Sequence, residues 1–264
     1  MCDTAGVTDF LHQNLSGAQF EDVHLTTAQF HDVDFTNARF RLVDLTGVVI
    51  SGAALRHVQI SGDIDDVRIN GVDVAPLVEA ELNRRHPERA MMRPGDAAGF
   101  RAAWDVLERL WGETVERAQQ APVDLLHERV DGEWSFIETL RHMIFVTDAW
   151  VARAMLGEPS PWDPLDLPPD EVRDVPTVPH DQDVRPSLDD VLVLRADRMA
   201  TVRQVLNDLS DEGLAGTTEP VTAPGYPEPE SFPVRRCLQA VLSEEWEHRL
   251  YAERDLEVLV TPRG

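Results

Sequence analysis

The sequence predicts a chain in two parts, an N-terminal solenoid followed by an all-α domain of four long helices. Three observations carry that prediction. A large apolar residue recurs at every fifth position through the first quarter of the chain. Apolar stripes at helical spacing run through the remaining three quarters. Two long proline-rich stretches separate the last three of those stripes.

The repeat runs through Phe10, Leu15, Phe20, Leu25, Phe30, Phe35, Phe40, Leu45, Ile50, Leu55 and Ile60. A small or β-branched apolar residue stands two positions before most of these, as at Ala18, Val23, Ala28 and Val33. One step then shortens to four, and the pattern resumes at Ile64, Ile69 and Val74. Neither the helical period of 3.6 nor the strand period of 2 produces this. A short fixed period is the mark of a solenoid whose coils stack their inward residues.

Ala75–Arg85 predicts a short helix leading out of the repeats, and Asp96 after Pro94-Gly95 is placed to cap the next one. That helix aligns Phe100, Trp104, Leu107, Trp111 and Val115. Trp134–Leu156 is apolar nearly all round, with Ile137, Leu140, Ile144, Val151 and Met155 in line, and is therefore predicted to be largely buried. Ser187 and Asp190 form a capping signal for a third helix bearing Leu188, Leu192, Met199, Val202, Leu206 and Leu209. Val234–Val258 is the fourth. Four such helices predict a bundle whose sites are built from inward side chains. The proline-rich stretches, 157–186 and 217–233, are too long for turns and stiff enough to wall a pocket over one end of it.

With 264 residues, the chain is long enough for one large domain or two modest ones, and its 42% hydrophobic content supports a real core. Its 24 basic residues against 48 acidic ones give a net charge of −24, which opposes binding to nucleic acid or anionic membrane. Two cysteines, Cys2 and Cys237, make no disulfide framework, and neither a secretory leader nor a membrane span is apparent. A cytoplasmic location is the expectation.

The last helix holds the anomaly. Cys237, Val241, Glu244, His248 and Tyr251 form one continuous stripe, yet two of its members are a carboxylate and an imidazole one turn apart. Glu244 and His248 are either an exposed ion pair on an acidic helix or two ligands for one cation. Most other histidines fall outside the helices. His12, His24, His31 and His57 sit at outward repeat positions, and His86, His127 and His180 in connections. His142 alone lies inside the buried helix, as a hydrogen-bonded core residue or as a third ligand. Two imidazoles and a carboxylate leave positions open on a metal, as a catalytic site requires. Glu138, Asp148 and Tyr251 are candidate outer partners. Arg141, Arg235, Arg236 and Arg249 either hold ligand carboxylates or balance the acidic surface, and Cys237 is read as core.

The units FEDVHLTTAQFHDVDFTNARF resemble the pentapeptide-repeat family. The resemblance implies a right-handed quadrilateral β-helix with one repeat per side, and fourteen inward positions would make about three and a half coils. Some members of that family are acidic rods that imitate DNA and bind topoisomerases. Residues 1–74 carry a net charge of only −7, which favours a structural cap or interaction surface instead.

Trp134-Ser135, His142 and Glu244-x-x-x-His248 together resemble the DinB-like superfamily, and most of all its branch containing mycothiol-dependent maleylpyruvate isomerase. The resemblance implies a four-helix bundle of DinB-like type binding a divalent metal through His142, Glu244 and His248. Zinc is the expected ion, with nickel and iron as alternatives. Other members have a third histidine where Glu244 stands, so the glutamate points to thiol-dependent chemistry with mycothiol or a similar low-molecular-weight thiol. The expected organisation is a solenoid over 7–74, a helical linker over 75–93 and the bundle over 94–260. The expected activity is that of a metal-dependent transferase or isomerase acting on a small-molecule substrate. The other reading is a scaffolding protein whose solenoid recognises a partner beside a vestigial metal site. Whether the solenoid makes a homodimer stays open.

Overall fold

A computed structural model of the chain describes residues 9–172, 175 and 177–261. Cys2, the Val7 start of the predicted solenoid, and Pro176 lie outside those residues. The chain divides after Ser61 into two compact units.

In the first unit the backbone turns once per repeat. Every fifth residue from His12 to His57 has positive φ, between 50° and 81°. Each of these corners stands two residues past a large apolar one, and glycine or asparagine occupies four of them (Gly17, Asn37, Gly47 and Gly52). The next corners, Gly62 and Asp66, are four apart, so the shortened step in the sequence is a shortened step in the backbone. Asp34 and Asp44 reinforce their turns by accepting from the backbone N–H two residues on, each at 2.8 Å.

The large apolar residues do not face inward as predicted. Phe10 is 59% exposed and Phe40 is 62% exposed. The physical reason lies in the hydrogen bonding. Among the described residues, backbone bonds in this unit close single turns, such as Ala18 N–H to Leu15 O at 2.9 Å, and none links one repeat to another. Without such stacking nothing covers the apolar row. Phe35 meets Phe30 and Phe40 edge to face, at 5.5 and 5.7 Å.

The second unit is helical. It opens with a small hairpin, β1 (Arg68–Ile69) against β2 (Val72–Asp73), turned by Asn70 and Gly71, both at positive φ. Helix α1 (Ala75–Arg85) follows. Asp96 caps α2 (Ala97–Gln119) by accepting from Gly99 N–H. Ser135 and Glu138 close a reciprocal capping box at the start of α3 (Phe136–Thr147), every residue of which is buried. Ser187 caps α4 (Leu188–Asp208); a short α5 (Asp211–Leu214) and the long α6 (Val234–Val260) complete the unit. Helices α2 and α3 each pack against both α4 and α6. Phe100, Trp104 and Leu107 of α2, Leu140 and Ile144 of α3, Val202 and Leu206 of α4 and Val241 of α6 fill the space between them.

Two features depart from expectation. The predicted helix 134–156 is α-helical only as far as Thr147; Asp148–Arg153 widens to i→i+5 bonding, with Ala154 N–H donating to Ala149 O and Leu156 N–H to Val151 O. On α4 the buried face is Val191, Arg195, Val202 and Leu206, whereas Leu188, Leu192, Met199 and Leu209 are only partly covered. Arg195 reaches the core because Glu245 of α6, fully buried, accepts from its guanidinium.

The described residues of the two proline-rich segments pack against the helical unit. They meet at Phe145, where Trp162 of one and Tyr226 of the other both stack, at 5.7 and 5.8 Å. Arg153, 1% exposed, donates to the carbonyls of Pro159, Val221, Ala223 and Pro227 and so ties both segments to the widened turn.

Candidate metal centre

The site lies where α3 passes α6. The capping box fixes the start of α3 and with it the register of His142 two turns on. Helical spacing places Glu244 and His248 on one face of α6. His142, Glu244 and His248 each present a ligand atom, and the three atoms lie within 4.8 Å of one another; among the described residues no other such group occurs. Glu244 Oε2 is 3.1 Å from His248 Nε2 and 3.6 Å from His142 Nε2. The imidazole centroids are 4.7 Å apart.

Exposure grades across the group. The side chain of His142 is 5% exposed, that of His248 19% and that of Glu244 40%, so one side is sealed by protein and the other faces solvent. Burial pushes the His142 imidazole below its ordinary pKa, and attraction to Glu244 only partly offsets this. Burial also opposes ionisation of Glu244, but its contacts with His142 and His248 outweigh that and hold the carboxyl at about 2. At neutral pH the pair is therefore an uncharged imidazole and a carboxylate, the forms that donate lone pairs to a cation.

Trp134 forms the wall. Its ring lies 4.4 Å from that of His142 and 5.6 Å from that of His248. Tyr251 meets His248 edge-on at 5.9 Å. The Nδ1 atom of His142 is 2.9 Å from the carbonyl of Leu167 in the first proline-rich segment.

A model of the DinB superfamily matches residues 106–252, more than half of the chain. The chain belongs to the DinB superfamily. Its members are often metal-binding, and the match spans both helices that carry the histidine–glutamate cluster. A model of pentapeptide repeats (8 copies) matches residues 8–41 and again residues 25–62. No curated protein and no solved structure matches the chain. No helix among the described residues is long and apolar enough to cross a membrane.

In this DinB-superfamily chain the three residues singled out from the sequence come together, but most of their expected neighbours do not. Glu138 is held by Arg129 at 2.9 Å and by the Ser135 cap, and Asp148 by Arg198 at 2.7 and 3.0 Å, so neither orients a histidine. Arg141 is fully buried and donates to three peptide carbonyls, serving neither a ligand carboxylate nor the surface. Arg235 binds the carbonyls of Pro94 and Gly95, Arg236 lies over Trp150 and Phe232, and Arg249 pairs with Glu253 at 2.8 Å. Cys237 is wholly buried, with its thiol pushed up to about 11 by desolvation, which suits a core residue. The Leu167 carbonyl carried no sequence signal. Trp134 did, since it belongs to the motif that singled out His142.

Proposed function

We propose that the chain is a divalent-metal-dependent enzyme, with zinc bound by His142, Glu244 and His248 in a four-helix bundle. The convergence of these three side chains from two helices is the observation that carries the reading. The donor set fits such an ion. Two imidazoles and one carboxylate suit zinc and leave room for a further ligand. The partial exposure of Glu244 and His248 supplies an approach for it. A bound divalent ion would acidify a thiol or water entering an open position. We further propose that the co-substrate is a low-molecular-weight thiol of the mycothiol type and that the reaction is a transfer or an isomerisation of a small molecule. Glu244, in place of a third histidine, supports that choice.

The residues of the chain divide the work. His142 and His248 would hold the ion from two helices, Glu244 would bring the compensating charge, and Trp134 packs against both imidazoles and Tyr251 against that of His248. The proposed organisation is a pentapeptide-repeat segment over 7–74, a linker over 75–93 and the bundle over 94–260. The test is calorimetric titration with zinc sulfate, then with a low-molecular-weight thiol. Wild type is expected to bind one zinc per chain, and the zinc-loaded form alone to bind the thiol. Thiol binding that is indifferent to zinc would refute the thiol-dependent reading.

A second reading, a scaffolding protein with a vestigial metal site, is favoured by one observation. The first unit leaves a row of large apolar residues exposed, as contact surfaces do. Removal of residues 1–61 with full retention of activity would count against it.

A further inference from the structure

The segment after α3 is fastened back onto α3 by two consecutive residues. Arg141 donates from Nε to Leu165 O at 2.8 Å, from Nη2 to Asp181 O at 2.6 Å and from Nη1 to Val184 O at 3.3 Å. His142 Nδ1 meets Leu167 O at 2.9 Å. A carbonyl only accepts, so this contact requires the proton on Nδ1 and leaves the lone pair of the neutral ring on Nε2. Nε2 is the atom that faces Glu244. The carbonyl therefore selects the tautomer able to bind a cation.

Leu167 O is useful only if it stays in place. Leu167 is fully buried, and Leu165, two residues earlier, is tied down by Arg141. Keeping a guanidinium at 0% exposure is costly; its hydrogen bonds run to peptide carbonyls, and the carboxyls of Glu138, Asp181 and Asp166 offset the burial only in part. A hydrocarbon side chain of similar volume would avoid that cost but could not bind the segment at three points. The geometry points to Arg141 as the positioning residue for His142, acting through Leu165 and the Leu167 carbonyl. This inference rests on the metal-site reading for its consequence, a raised metal affinity, but not for the tautomer itself.

The experiment uses the full chain and the variants Arg141→Met and Arg141→Lys. Two quantities are measured: the His142 tautomer, from two-bond nitrogen–proton correlation spectra of histidine-labelled protein without metal, and zinc affinity by titration with zinc sulfate. Wild type is expected to show the Nδ1-protonated form. Arg141→Met is expected to lose that preference and to bind zinc about 10- to 100-fold more weakly, the usual scale for an outer partner of a metal-binding histidine. Arg141→Lys is expected to recover part of both. Folded Arg141→Met with wild-type tautomer and affinity overturns the inference. If Arg141→Met does not fold, Arg141→Lys decides, since a full wild-type tautomer and zinc affinity in that variant overturns it equally. Wild type that binds no zinc defeats the metal reading alone, and the tautomer still tests the role of Arg141.

Discussion

Trp134 and His248, on different parts of the chain, stack with their ring planes 23° apart and their centroids separated by 5.6 Å. The same indole lies against His142, so one side chain touches both histidines of the site. Trp134 stands immediately before the Ser135 cap, which fixes the helix start and holds the ring in position.

That contact gives an optical readout. Nickel bound between His142, Glu244 and His248 would sit beside Trp134 and quench its fluorescence. The chain has six tryptophans. Trp104, Trp111 and Trp246 are buried within the helical core. The larger part of any nickel-induced quenching is therefore expected to vanish in Trp134→Phe, while nickel binding measured by calorimetry persists. Undiminished quenching in that variant would place the metal elsewhere.

The pH dependence of stability is expected to carry the mark of two buried carboxyls. Burial pushes Asp148 up to about 6 against the pull of Arg198, and burial with the nearby Asp148 charge raises Asp166 well above its ordinary range. Asp166 is fully buried and its Oδ1 has no hydrogen-bond partner among the described residues. A group whose pKa is raised by folding contributes stability that is present below its ordinary value near 3.8 and lost as pH rises through its folded value. For Asp148, at 1% exposure, the loss is on the order of 3 kcal/mol across pH 4 to 6. Asp166→Asn is expected to raise the thermal midpoint at pH 7.5 and to flatten the decline between pH 4 and 6. An unchanged profile by calorimetry would contradict this.

Among the described residues, Arg195 and Glu245 form the ion pair most fully removed from water, at 4% and 0% side-chain exposure. Arg195→Met strands the Glu245 carboxylate and is expected to destabilise the chain by about 3–5 kcal/mol in urea unfolding. Combining it with Glu245→Leu is expected to recover most of that loss, because a buried pair can give way to apolar packing. A single variant as stable as wild type would mean that Glu245 is not held ionised by Arg195.

The features legible in the sequence were those written in side-chain pattern. The corner at every fifth residue and the shortened step after Ile60 follow the apolar repeat. Asp96, Ser135 and Ser187 mark helix starts because their side chains satisfy free backbone N–H groups. Glu244 and His248 stand out as polar residues on a line that apolar residues should occupy, and His142 as the one histidine inside a helix apolar nearly all round. Arg195 escaped because an apolar-stripe search on α4 passes over a charged residue, although its partner Glu245 neighbours a residue already singled out. The widened turn at Asp148–Arg153 and the carbonyl of Leu167 escaped for a different reason. Both are backbone events, and every residue offers the same carbonyl. The exposure of Phe10 through Ile60 escaped because the period defines the turns, whereas burial needs coils to stack.

The most direct measurement is elemental analysis of the purified full chain beside His248→Ala. One divalent ion per wild-type chain, lost in the variant while its helical content is retained, is the predicted result. Wild-type protein that carries no ion and takes up neither zinc nor nickel when they are added would contradict it.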